Sequence, residues 1–276
     1  IQMTIASLAT ILNQARQNNQ AIAGLVVLGW EDITAFIAAA EAENMPVILQ
    51  AGPGCRAHTP IPVLGAMFRY AAERASVPIV CHLDHGYEIQ EIEEAIQSGF
   101  SSVMIDGSKK PLSQNIEITG HVVSIAHRAG VSVEGEIGIV GYTDGLSSQG
   151  TEPDEAARLA RETGVDALAI SAGNTHLQTQ ASAIIDEVLV EKIAQRIECP
   201  IVLHGGSGIP HSVRRRLARK GLVSKFNIGT ELRQVFGSTL RKTLDEDPNI
   251  FDRLTILKTL QDPLCDATRH IIANLK

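Results

Sequence analysis

Three apolar runs in this chain stop at a histidine: Cys81-His82-Leu83-Asp84-His85-Gly86, the stretch from Ala169 to His176, and Ile201-Val202-Leu203-His204-Gly205-Gly206. Imidazoles converging from three strand ends would hold a metal ion. Three histidine nitrogens leave one position of a tetrahedral zinc open to substrate, which separates a catalytic site from a closed structural one. Asp84 sits one residue before the first of these ligands. Taken singly, each of His85, His176 and His204 is equally well a satisfied polar residue at a strand end; the three together, with glycine close by, point to a site. His82 alternates away from the ligand direction and stays unassigned. His58, His121, His127, His211 and His270 fall on expected helices or loops and are read as solvated.

Bringing those ends together requires parallel strands. Apolar, β-branched runs near 24–28, 46–50, 78–82, 102–106, 131–135, 165–171, 200–204 and 223–228 alternate with helical segments. The helices carry start signals: Glu31-Asp32 before 33–43, Pro60 and Pro62 opening 62–76, Pro153-Asp154 opening 154–163, and Ile209-Pro210 opening 211–220. Eight strand–helix repeats in this length predict an α/β fold, a (β/α)8 barrel, with an extra helix at 4–18 before it and helices at 229–244 and 251–275 after it. A doubly wound open sheet is the alternative, but it would place one dominant Gly-rich loop after the first strand, and none is there. With no low-complexity linker, residues 1–276 are expected to form a single domain.

Barrel enzymes keep their chemistry at the carboxyl ends of the strands, and the polar motifs follow that rule. Asp106-Gly107-Ser108 ends the fourth strand, where Asp106 either serves a site or caps a turn. Of Glu134 and Glu136 on the fifth, one is expected to point into the barrel and the other into a salt bridge. Gly205-Gly206-Ser207-Gly208 and Asn227-Ile228-Gly229-Thr230 follow the seventh and eighth strands. Backbone N–H groups of such turns, beside helix N-termini, cradle anions in barrels of this kind.

Composition narrows the function further. A net charge of −7 argues against nucleic acid, whose phosphate backbone needs a broad positive surface. No apolar run approaches the roughly 18 residues of a membrane span, and the N-terminus lacks a signal-peptide core, so a cytoplasmic protein is expected. Cys55, Cys81, Cys199 and Cys265 form no CxxC pair and are read as reduced core or loop residues.

His-Leu-Asp-His-Gly (82–86), Ser-Val-Met-Ile-Asp-Gly-Ser (102–108), Val-Glu-Gly-Glu-Ile-Gly (133–138), Leu-His-Gly-Gly-Ser-Gly-Ile-Pro (203–210) and Asn-Ile-Gly-Thr-Glu-Leu (227–232) resemble the class II, zinc-dependent ketose-bisphosphate aldolases. The resemblance runs from about residue 4 to 245. It implies that His85, His176 and His204 hold a catalytic zinc and that Asp84 is the acid/base at the C4 oxygen. It assigns Asp106 and Glu136 to a second metal position found in some members. Gly205, Gly206, Ser207 and Asn227 to Thr230 correspond to the grip on the phosphate of dihydroxyacetone phosphate, with a monovalent cation, Na⁺ or K⁺, nearby. Asp144, within Gly-Tyr-Thr-Asp-Gly (141–145), matches the loop acid that protonates C3, unless Asp144-Gly145 is only a turn. A small sugar phosphate is the implied substrate, and a homodimer or homotetramer the implied assembly.

The departures concern the other half of the substrate. Val26 stands where the family has a substrate-contacting Asn, Leu177 where it has Gly after the second ligand, and Asn249 where it has the Arg that reaches a second phosphate. The expected reaction is therefore metal-dependent cleavage of a ketose phosphate to dihydroxyacetone phosphate and an unphosphorylated aldehyde. Fructose- or tagatose-1,6-bisphosphate cleavage is the alternative, and a zinc hydrolase or an inactive barrel the alternatives of another class. A Schiff-base aldolase is weaker still, because Lys225 lies within a strand and Lys109-Lys110 on a loop.

Overall fold

The computed structural model describes residues 4–142 and 148–276; Asp144 lies outside the described residues. Eight parallel strands, β1 (Ile22–Val26), β2 (Val47–Ala51), β3 (Ile79–Gly86), β4 (Ser102–Ile105), β5 (Ser132–Ile137), β6 (Ala167–Ile170), β7 (Ile201–Leu203) and β8 (Lys225–Ile228), close into a barrel in chain order, β8 returning to β1. Helices pack around it, so the expected (β/α)8 architecture is the observed one. Seven strands end within about two residues of where the apolar pattern stops. The eighth case, β3, continues four residues further, through Asp84-His85-Gly86, because its backbone stays paired with β4 although its side chains have become polar.

Both faces of the strands are covered, as in all-parallel sheets. Val80, Leu83, Val103, Val133, Leu168 and Leu203 are completely buried. Among them lie Gln50, His82, Glu134 and Lys225, equally buried, so the barrel contains polar side chains as well as a hydrocarbon core. The N-terminal helix, Leu8–Gln17, is capped by the Ser7 hydroxyl accepting from the Thr10 amide. It lies at the start of β5, where the Ser7 and Ser132 hydroxyls meet at 3.1 Å, and it buries Leu8 and Leu12 there. That end of the barrel is thereby covered.

The expected helix over 251–275 is two helices, Arg253–Lys258 and Gln261–Asn274. Asp252 caps the first by accepting from the Thr255 amide and hydroxyl, and the break lets Leu260 and Leu264 enter the core. A short parallel pair, Gly141–Tyr142 with Thr175–His176, has no counterpart in the apolar pattern. No helix among the described residues is long and apolar enough to cross a membrane.

Gly65, in helix Ile61–Ala72, lies against the end of helix Ile89–Gln97: a β-carbon there would meet the Ser98 carbonyl oxygen at 2.5 Å. Gly65→Ala gains about 1 kcal/mol of helix propensity and loses about 1–3 kcal/mol to overpacking against backbone. Urea unfolding should therefore show a net loss of stability, opposite to the sign that propensity alone gives.

Candidate active site

The side chains of consecutive strand residues point to opposite faces, so Asp84 and His85 could not both face the barrel mouth on a regular strand. β3 solves this with a register shift between Leu83 and Gly86 and a left-handed residue, His85, at φ 49°. Arg56, from the short helix Pro53–His58 after β2, holds the distortion. Its Nη1 donates to the carbonyls of Ala51 (2.7 Å) and Asp84 (2.6 Å), and its Nη2 to that of His85 (2.9 Å). Sequence reasoning missed Arg56, since a lone arginine on a loop carries no signal of such a role. His82 shares the interior face with Asp84, its Nε2 4.0 Å from the Asp84 carboxylate. The expectation that it turns away fails because the irregular strand brings both parities inward.

His85, His176 and His204 come together with their ring nitrogens within 4.8 Å of one another. The ring centroids are 4.6, 5.2 and 5.7 Å apart, and the planes cross at 66–86°. The His85 Nδ1 lies 3.0 Å from Asp106 Oδ2 and the His204 Nε2 lies 2.9 Å from Glu134 Oε1. If each of those nitrogens carries the proton, His85 Nε2 and His204 Nδ1 aim their lone pairs at each other across 2.9 Å, and a proton or a cation must lie between them. Neighbouring nitrogens around a tetrahedral zinc stand about 3.3 Å apart, so the His85–His204 pair needs only a few tenths of an ångström to share one.

Charge is arranged to match. At His85 burial opposes the cation, but the Asp84 carboxylate, the Asp106 hydrogen bond and Glu136 outweigh it and carry the pKa up to about 9. Burial and then the positive His85 push His176 down to about 3 and His204 well below the imidazole range. At Asp84 burial is outweighed by its positive neighbours, His85 first, and the carboxyl titrates below its ordinary value. Burial, reinforced by Asp106, raises Glu136 well above the carboxylate range.

Glu134 and Glu136 both point inward, because residues two apart on a strand share a face; the expected salt bridge is there, made by Glu134, but inside the barrel. Glu134 pairs with Lys225 at 2.6 Å, both fully buried. Glu136 stands 3.5 Å from His85 Nδ1 and forms with His85 and Asp106 a second group of donors able to hold a cation. Asp106 caps its turn, its Oδ1 accepting from the Ser108 amide and hydroxyl, while its Oδ2 meets His85.

The two glycine turns face this cluster across a cavity of about 290 Å³, lined by Asp84, His85, His176 and, from the turns, Gly205, Ser207, Gly229 and Thr230. They are tied together: the Ser207 hydroxyl accepts from the amides of Gly229 and Glu231. Gly205 adopts φ 62°, and a β-carbon there would collide with the Thr175 carbonyl at 2.2 Å, so only glycine fits. Asn227 lines the same cavity, and its side-chain amide donates to Asp84 Oδ1 at 3.1 Å. Gly206 and Ile228 do not line the cavity, and the Ile228 side chain is in the core. Leu177 takes φ 58° where glycine would be unstrained, and it lines the cavity beside His176. His58, His121, His127, His211 and His270 are all exposed, as expected.

Residues 6–276 match the family model described as fructose-bisphosphate aldolase class-II. The chain is 35% identical over 271 residues to the fructose-bisphosphate aldolase of Geobacillus stearothermophilus, covering 95% of this chain and 93% of that one. It is 36% identical over 261 residues to the 6-phospho-5-dehydro-2-deoxy-D-gluconate aldolase of Bacillus licheniformis, covering 91% and 87%. Among solved structures it is similar to the YdjI aldolase from Escherichia coli K12, with a TM-score of 0.87, 29% identity, and 98% and 97% of the two chains covered.

Replacing Arg56 by Ala strips the donor from three carbonyls at the ends of β2 and β3. Leaving buried acceptors unpaired costs about 1–3 kcal/mol each before relaxation and water entry. Arg56→Ala should lower the unfolding free energy in urea by roughly 2–4 kcal/mol, and Arg56→Lys, which cannot reproduce the fork, by a smaller amount.

Proposed function

The chain belongs to the class II fructose-bisphosphate aldolase family and is a carbon–carbon lyase, and from that premise we propose that it cleaves a ketose phosphate to dihydroxyacetone phosphate and an unphosphorylated aldehyde. The observation that carries this reading is the convergence of His85, His176 and His204 beside an ionised Asp84. Members of this family are generally zinc-dependent, and the opposed lone pairs of His85 and His204 suit a divalent ion. When bound there, zinc would supply the electrophile toward which the electron pair of the breaking carbon–carbon bond shifts. Asp106 and Glu136 offer a second cation position, and a Na⁺ or K⁺ near the substrate phosphate belongs to the same reading.

In the cleavage direction Asp84 takes the proton of the C4 hydroxyl as the C3–C4 bond breaks, leaving the aldehyde on one side and the electron pair on the dihydroxyacetone side. Asn227 holds Asp84 through its amide. The turns at Gly205–Ser207 and Gly229–Thr230 bind the C1 phosphate with backbone amides at the start of helix Thr230–Glu246. A proton must then reach C3, and Asp144 is the residue proposed to deliver it. Lys225 does not serve as a Schiff-base lysine in this scheme, since it is fully buried and paired with Glu134. The missing arginine at Asn249 and the apolar Val26 support the unphosphorylated aldehyde. A cytoplasmic homodimer or homotetramer completes the proposal, supported by the 91% and 67% exposure of Phe251 and Leu254.

Chelation of the metal should abolish cleavage and zinc or cobalt should restore it, while borohydride with substrate should leave the enzyme active. Covalent trapping on a lysine would contradict the scheme. Asp84→Asn should cost about 10²- to 10⁴-fold in cleavage yet retain proton exchange at C3 of bound dihydroxyacetone phosphate. Asp144→Ala should suppress that exchange, which is measured by solvent deuterium incorporation; unchanged exchange would make Asp144 a turn residue only.

A further inference from the structure

One buried cation has no part in the proposed reaction. Lys225, on β8, is fully buried two residues before Asn227, and its side chain runs inside the barrel. Glycine at position 24 makes room for it: a β-carbon on Gly24 would meet Lys225 Cε at 2.9 Å. The ammonium donates to Glu134 Oε2 at 2.6 Å and lies 3.4 Å from His82 Nε2. Each of these partners leads on to the site above. The other oxygen of Glu134, Oε1, is 2.9 Å from His204 Nε2. His82 Nε2 is 4.0 Å from Asp84 Oδ1, and its Nδ1 is 2.8 Å from the Ser102 hydroxyl. These side chains come from β3, β4, β5, β8 and the end of β7, so only the closed barrel assembles them.

We propose that Lys225 is a positioning residue that fixes the ring protons of His204 and His82. An ammonium has three protons to give and no lone pair to receive one, so both atoms it faces are acceptors. Glu134, a carboxylate paired with that cation, accepts at Oε2 from Lys225 and at Oε1 from His204. The His204 proton is thereby placed on Nε2, and the Nδ1 lone pair is turned to the metal position. By the same rule His82 Nε2 carries no proton. The His82 proton sits on Nδ1 and goes to Ser102, while burial, reinforced by Lys225, holds the ring neutral. His82 then has nothing to donate to Asp84. Among the described residues the Asp84 carboxylate receives a side-chain hydrogen bond from Asn227, and it stays open to take the proton of a substrate hydroxyl. The inference deepens the aldolase reading and rests on it.

Nitrogen NMR of isotope-labelled, metal-free enzyme reads both tautomers: His82 should carry its proton on Nδ1 and His204 on Nε2. The reverse tautomer at either ring would overturn the inference and leave the aldolase reading standing. Zinc affinity, measured by competition with a chromophoric chelator, gives the second test. In Glu134→Gln the new amide has one oxygen and one N–H group, and Lys225 can pair only with the oxygen. The N–H group then faces His204 Nε2, donor against donor once Nδ1 holds zinc, and affinity should fall about 10- to 100-fold. Adding Lys225→Met lets the amide turn its oxygen to His204, so the double variant should recover most of that loss. A double variant that binds no tighter than Glu134→Gln would overturn the inference. The double variant buries no charge at this place and should fold even where Glu134→Gln does not. Its affinity is then read against the wild type, and a deficit of about 10-fold or more is the overturning result. A wild-type enzyme that holds no zinc would overturn the metal-dependent aldolase reading itself, and the inference with it.

Discussion

Two neighbouring residues of a β-strand cannot both face the same side, and the centre of this protein needs two that do. In the proposed reaction Asp84 reaches the substrate while His85 reaches the other histidines. The left-handed backbone at His85 makes both possible at a strain of order 1–2 kcal/mol for a residue with a β-carbon. Arg56 donates to the carbonyls on either side of the Asp84–His85 bond and so fixes the distorted strand end to the helix after β2. The acid/base, the first imidazole and the wall of the cavity next to Gly52 are thereby parts of one rigid unit.

Burying that much polarity inside a barrel imposes a second requirement, that each charge find a partner. Glu134 answers Lys225 and His204 at once, and Asp106 answers His85 and its own turn. These contacts also fix which nitrogen of each imidazole faces the centre, so the orientation of His85 and His204 is set from behind. Some polar atoms stay without hydrogen-bond partners among the described residues: Glu136 Oε2, Asn227 Oδ1 and both amide atoms of Gln50. Glu136 and Asn227 stand beside the proposed cation and substrate positions, where an occupant would satisfy them. Gln50 lies lower in the barrel against Gly24 and Lys225, and its orphaned amide has no such account.

The substrate half of the cavity follows a different logic. Around the glycine turns recognition depends on backbone, which any chain with glycine at those positions supplies. Toward β1 and β2 the cavity is lined by side chains, Val26 and Leu28 among them. In the proposed reaction this division places the histidine cluster, Asp84 and the phosphate grip at the ends of β3, β6, β7 and β8 and leaves the aldehyde to the side chains beside β1.

Strand positions, the barrel and the three strand-end histidines were legible in the sequence because each rests on local information: apolar runs of strand length, start signals for helices, and histidine where a run stops. The glycine turns were legible for the same reason, since a residue without a β-carbon marks a backbone requirement. What the sequence alone could not determine was orientation. Alternation set His82 apart from His85 and left it unassigned, and it divided Glu134 from Glu136, whereas the register shift in β3 brings His85 in beside the face of His82 and Asp84, and residues two apart on β5 share one face. Arg56 was invisible for a related reason. An arginine acquires its role from carbonyls or cavities contributed by distant segments, and only the closed barrel brings those segments within reach of its side chain.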